Sequence, residues 1–163
     1  MKNCFFIGHG NTPERIYPLL AEAVERHITE YDVTDFYVGH YGNFDRMAAR
    51  AVKEAKKKYP YIQLILILPY HPAECPVEIP EGFDDTYYPF TNERIPKRFA
   101  ILKTNQFFVV ASRYLISYVK HSWGGAAKTL EYARKRENRG FIQIENLAEG
   151  LQPNSAQTQI LEP

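Results

Sequence analysis

Four of the five histidines in this 163-residue chain, His9, His40, His71 and His121, fall just beyond short apolar runs. Imidazole donates or accepts hydrogen bonds, changes charge near neutral pH and binds transition metals. Around the fourth lies the stretch His121-Ser122-Trp123-Gly124-Gly125-Ala126-Ala127-Lys128-Thr129-Leu130-Glu131. A strand, a paired-glycine turn and a helix in that order form an anion site. Glycine lets backbone N–H groups approach a ligand, and a helix start leaves several of them without internal partners. The plain alternative is a tight turn. Two more loops have the same character: Gly8-His9-Gly10-Asn11, and Gly39-His40-Tyr41-Gly42-Asn43-Phe44-Asp45. Asp45 and Glu131 are the carboxylates placed to act as acid, base or charge stabiliser. Their bland readings are a helix cap for Asp45 and a surface helix residue for Glu131. No two of the loop histidines are spaced i, i+4 on a helix and no cysteine joins them, so neither a metal site nor a cofactor is expected.

The elements that must position these loops follow from hydrophobic periodicity. Cys4-Phe5-Phe6-Ile7, Asp35-Phe36-Tyr37-Val38, Ile62 to Leu68, Tyr114 to Val119 and Phe141 to Ile144 read as five strands. The continuous apolar runs among them suit strands buried on both faces. Between them come helical stretches. The first carries Ile16, Leu19, Leu20, Ala23, Val24, His27 and Ile28 as an apolar stripe, with Asn11 or Thr12 as its cap. The second runs from Asp45 to Lys58. The third runs from Pro96 to Ala111 with Phe99, Leu102, Gln106 and Val109 or Val110 inward, and the fourth ends near Glu137.

Alternating strands and helices predict an α/β fold, a single-domain Rossmann-like three-layer sandwich. Its mostly parallel five-stranded sheet has the order 3-2-1-4-5. Ligands of such sheets bind beyond the carboxyl ends of the strands where the chain reverses direction, here between the first and fourth strands. The domain is expected over 1–147, with a polar tail over 148–163. Residues 70–95, with Pro72, Pro76, Pro80 and Pro89 among acidic and aromatic side chains, form a long loop or lid.

Composition narrows the classes. A net charge of +1 argues against a broad nucleic-acid or membrane footprint. No apolar stretch approaches the length of a membrane span. The opening Met1 to His9 holds too short an apolar run for a secretory leader, and Cys4 and Cys75 stand far apart, which suits a reducing cytoplasm. There is no G-x-G-x-x-G opening a helix, no P-loop and no Gly-x-Ser-x-Gly elbow. Ser122 therefore reads as a helix cap or phosphate donor rather than a nucleophile.

Taken together, the Gly8-His9 loop, the Gly39 to Asp45 loop and the Trp123-Gly124-Gly125 to Thr129-Leu130-Glu131 turn resemble the SLOG superfamily. This is the Rossmann-like group shared by DprA and LOG proteins, and the chain looks closest to its small YpsA-like members. The resemblance runs from about Cys4 to Ile144. It implies a nucleotide or nucleotide-derived ligand on the paired-glycine loop, held by Gly8, His9, Gly10, Asn11, Gly39, His40, Asp45, His121, Ser122, Trp123, Gly124, Gly125 and Thr129. Relatives also suggest a homo-oligomer. LOG enzymes split the N-glycosidic bond of nucleoside 5′-monophosphates with a glutamate after P-G-G-x-G-T-x-x-E and an arginine on the preceding helix.

In this chain Trp123 stands for the proline, Glu131 follows Thr129 by two residues, and the arginine position falls near Thr104. Gly10 occupies a position where relatives carry arginine. Three functions stay open: a nucleotide-binding module, a LOG-like hydrolase using Glu131 or Asp45, and a protein-interaction module. In the first, Tyr41, Phe44 and Trp123 could stack on a base or wall the pocket.

Overall fold

A computed structural model of the chain describes residues 2–149. The strands are β1 (Lys2–Gly8), β2 (Val33–Val38), β3 (Gln63–Ile67), β4 (Asp85–Tyr87), β5 (Tyr114–Tyr118) and β6 (Gln143–Asn146). The helices are α1 (Tyr17–Thr29), α2 (Asn43–Lys58), α3 (Lys97–Ala111) and α4 (Gly125–Glu137). All six strands pair in parallel in the order β4-β3-β2-β1-β5-β6. The five expected strands keep their expected order, and the reversal lies between β1 and β5. The sixth strand, β4, is a correction: it lies inside the stretch expected as a long loop. Leu68 N–H donates to Tyr87 O at 2.9 Å and Asp84 N–H to Leu64 O at 2.8 Å, which hold it on the sheet edge. The Lys56–Asp84 ion pair anchors its start to α2. Residues 150–163, most of the expected polar tail, lie outside the described residues.

The burial of β1 shows why its sequence is uninterrupted. Cys4 and Phe6 join the core on one sheet face, and Phe5 and Ile7 the core on the other. Successive side chains point to opposite faces, so a strand covered on both sides must be apolar throughout. Helices α1 and α2 pack over the first face and α3 with α4 over the second. This is the α/β single-domain sandwich expected.

Two helix details differ from expectation. The Thr12 hydroxyl donates to His9 O at 2.6 Å, so it closes a turn instead of capping a helix. A 3-10 turn over Glu14–Ile16 then leads into α1, which has no side-chain cap. On α3 the inward residues are Ala100, Thr104, Phe108 and Val109, while Phe99, Leu102 and Val110 are exposed. Apolar residues on both sides of α3 leave its periodicity ambiguous, and packing on β1 and β3 chooses the face.

Candidate functional site

The β1 and β2 loops are clamped together by backbone. Gly42 has φ +119°, and a Cβ there would meet Gly10 Cα at 2.6 Å. Asn43 N–H donates to Gly10 O at 2.9 Å. The close approach needs glycine at 42. Gly10 itself has open space about its side-chain position, and Asn11 is exposed.

His9 ties β1 to the β5 loop. Its Nε2 accepts from Lys120 N–H at 2.9 Å and His121 N–H at 3.3 Å. Two donors on Nε2 require a lone pair there, so the proton sits on Nδ1 and the ring is neutral. Desolvation, then His121, holds its pKa below the ordinary histidine value. The rings of His9, His121 and Trp123 form a stack, with centroids 4.5 Å and 4.4 Å apart. Trp123 ends the stack and is 68% exposed. His40 stacks on Tyr41 at the β2 loop, and desolvation lowers its pKa. His71 accepts from Ala73 N–H and lies away from the other three, against Tyr88.

Beyond the carboxyl ends of β1, β2 and β3 a cavity of about 160 Å³ opens between α3 and the start of α4. Gly8, Gly39, Asp45, Thr104, Asn105 and Gly125 contribute its polar or open wall, with Ile7, Ile67 and Ile101 as apolar wall. Asp45 Oδ2 accepts from Tyr41 N–H at 2.9 Å. Among the described residues no lysine or arginine forms an ion pair with it. Desolvation therefore dominates and pushes its pKa up to about 6, against the Tyr41 hydrogen bond and Arg46. The capping reading of Asp45 is corrected: α2 has no side-chain cap, and the carboxyl instead binds back to the loop at Tyr41 while its residue lines the cavity.

On the opposite wall Thr104 is 2% exposed, and its Oγ1 has no hydrogen-bond partner. A helical threonine usually satisfies its hydroxyl on the preceding turn. Of the four buried side-chain atoms without partners among the described residues, Thr104 Oγ1 is the one whose residue lines this cavity.

The start of α4 forms the third side. Gly124, at φ +92°, is the N-cap, and no side chain caps the helix. Ser122 is exposed and does not cap the helix, which corrects the capping half of its expected role. Thr129 turns inward and donates to Gly125 O at 2.9 Å. Its hydroxyl is thus committed within the helix.

Not every expected residue converges here. His121, Ser122 and Glu131 line a separate, wider groove with Arg15, Lys120 and Arg134. In it Arg134 pairs with Glu137 and Glu149, and Asn146 bonds the backbone of Val119. Glu131 and Asp45 therefore do not share a cavity. Phe44 is 1% exposed and packs under Gly8, so it is core rather than a stacking surface. Tyr41 lines the cavity. Sequence reasoning did not single out Asn105, which lines the cavity beside Thr104. Among the described residues no three His, Cys, Asp or Glu side chains gather as a metal-ligand set. No helix there is long and apolar enough to cross a membrane.

Solved structures share this architecture. DNA processing protein A (DprA) from Streptococcus pneumoniae matches with a TM-score of 0.63 at 13% identity over 88% of this chain; the chain spans only about half, 49%, of that protein. The molybdenum cofactor carrier protein from Chlamydomonas reinhardtii matches over 100% of both chains, with a TM-score of 0.56 and 15% identity. DprA from Helicobacter pylori, described for its single-stranded DNA binding mode, matches 97% of this chain and 81% of its own, with a TM-score of 0.59 and 12% identity. No protein-family model and no curated protein sequence matches. At these identities the likeness is one of fold: a Rossmann-like α/β domain.

Proposed function

We propose that the protein binds a nucleotide or nucleotide-derived small molecule in the cavity between β1 and the start of α4. A phosphate would sit on the uncapped N–H groups of the first turn of α4, where the helix dipole favours an anion. The observation that carries this reading is the cavity itself, which joins the uncapped first turn of α4 at Gly125 and Ala126 to the Asp45 carboxyl. Proteins of this fold described as a cofactor carrier and as a single-stranded DNA binder support ligand binding in general. The loop spacing supports kinship with the small YpsA-like members. Two free cysteines, Cys4 and Cys75, fit action in a reducing cytoplasm.

A nucleotide panel read by thermal unfolding tests the reading. A ligand at a hundred times its dissociation constant adds about 2.7 kcal/mol. For a domain of this size that is a rise of roughly 5–10 °C. Gly125→Leu should abolish the rise, because a side chain there enters open space beside the α4 amides at no backbone cost. No rise with any nucleotide would overturn the proposal.

One observation favours a LOG-like hydrolase as the second reading. A carboxyl with a pKa of about 6 is suited to proton transfer near neutral pH. Turnover would release free base, detectable by chromatography, and would vanish in Asp45→Asn. Glu131→Gln would leave it intact, since Glu131 opens to the other groove.

A further inference from the structure

We infer that the Asp45 side of the cavity takes the amino-pyrimidinone edge of a heteroaromatic ring, a ring N–H beside an exocyclic NH₂, as guanine and pterins carry. This rests on the nucleotide-derived reading above and names the head group within it.

The first ground is what the carboxylate lacks. Oδ2 accepts the Tyr41 N–H, while Oδ1 has no hydrogen-bond partner among the described residues. An ionised carboxylate is an acceptor only, and a desolvated one is stabilised most by two N–H donors together. A phosphate or carboxylate on the ligand would be repelled from this end and directed to α4. Gly39 keeps the approach clear, since a Cβ there would stand 2.9 Å from Oδ2.

The second ground is size and lining. The cavity, about 160 Å³, matches in scale the engineered apolar cavity of about 150 Å³ that accepts a benzene ring. Its Ile7, Ile67 and Ile101 walls suit a flat ring better than a sugar or a polyphosphate. A guanidinium offers the same two donors but no ring to fill those walls.

The third ground is elimination by donor pattern. Adenine and cytosine place an NH₂ beside a bare ring nitrogen, which turns a lone pair toward Asp45. Uracil and thymine flank their N–H with two oxo groups. Hypoxanthine keeps the N–H and loses the NH₂. The amino-pyrimidinone edge supplies two adjacent donors, which an ionised carboxylate accepts together.

Calorimetric titration of the full chain with GMP, IMP, AMP, ribose 5-phosphate and neopterin monophosphate tests this. A good two-point contact is worth about 10- to 100-fold. GMP should bind at least about tenfold tighter than IMP or AMP, and Asp45→Asn should bring the ratio close to one. If neopterin monophosphate binds tighter than GMP with the same dependence on Asp45, the edge is confirmed and its source is a pterin. The reverse order makes the source a guanine nucleotide. Equal binding of GMP, IMP and AMP, or a preference that survives Asp45→Asn, would overturn the inference and leave nucleotide binding standing. Failure of every compound would overturn nucleotide binding first and this inference with it.

Discussion

Replacing Asp45 by asparagine should stabilise the protein at neutral pH while weakening its ligand. The native carboxyl has a pKa of about 6 against an ordinary value of 3.8. A folded-state pKa above the unfolded one means that the folded chain binds the proton more tightly. Its stabilising effect is fully present below about pH 3.8 and lost as pH rises through about 6. Each unit is worth about 1.4 kcal/mol, so at pH 8 the ionised Asp45 costs the fold about 3 kcal/mol. Asparagine carries no such cost. It exchanges a charge-assisted bond from Tyr41 N–H for a neutral one, a loss of about 1 kcal/mol. The net gain at pH 8 is about 2 kcal/mol, or a Tm higher by roughly 4–8 °C. Near pH 4 the gain should vanish, because native Asp45 is then protonated. Urea unfolding of both proteins at pH 8, 6 and 4 measures this. A variant that is destabilised at pH 8, or whose difference from native is the same at all three pH values, would refute the reasoning.

Further outcomes follow from the same contacts. Gly8→Ala would place a Cβ 2.2 Å from the buried Phe44 ring, an overpacking that should cost about 3 kcal/mol in urea unfolding. Thr104→Val removes the unpartnered hydroxyl and should leave stability equal or higher by up to about 1 kcal/mol. His9→Asn should cost about 1–3 kcal/mol at pH 8, where neutral His9 holds two backbone N–H groups. Because the folded pKa of His9 is lowered, native stability from this group declines as pH falls below about 6.5. The cost of the His9→Asn change should therefore shrink at pH 5.

What could be read in the sequence was whatever local pattern determines. The run Cys4 to Ile7 is apolar because both faces of β1 are covered, and that alone places it in the middle of a parallel sheet. Strand β4 was not legible: Asp85-Thr86-Tyr87 is three residues long and partly exposed, and its place depends on hydrogen bonds to β3 and on Lys56. The inward face of α3 was legible only in part: Val109 packs, but Phe99 and Leu102 are as apolar as the residues that pack and lie exposed. At the site, the glycine loops and Asp45 were visible from their position after strands. The bond from His9 to the backbone of Lys120 and His121 joins residues over a hundred apart, beyond any local pattern. Thr104 looked only like a lost arginine, since nothing in a helix sequence reveals that a hydroxyl lacks a partner.

Amide-shift mapping with GMP on the ¹⁵N-labelled chain tests most directly whether a ligand occupies the cavity. The amides of Gly39, Tyr41, Gly125 and Ala126 should shift together in one saturable transition, with the Trp123 indole following from the edge of the stack. Saturable shifts confined to the groove of Lys120, Glu131 and Arg134, with those four amides unmoved, would contradict the account.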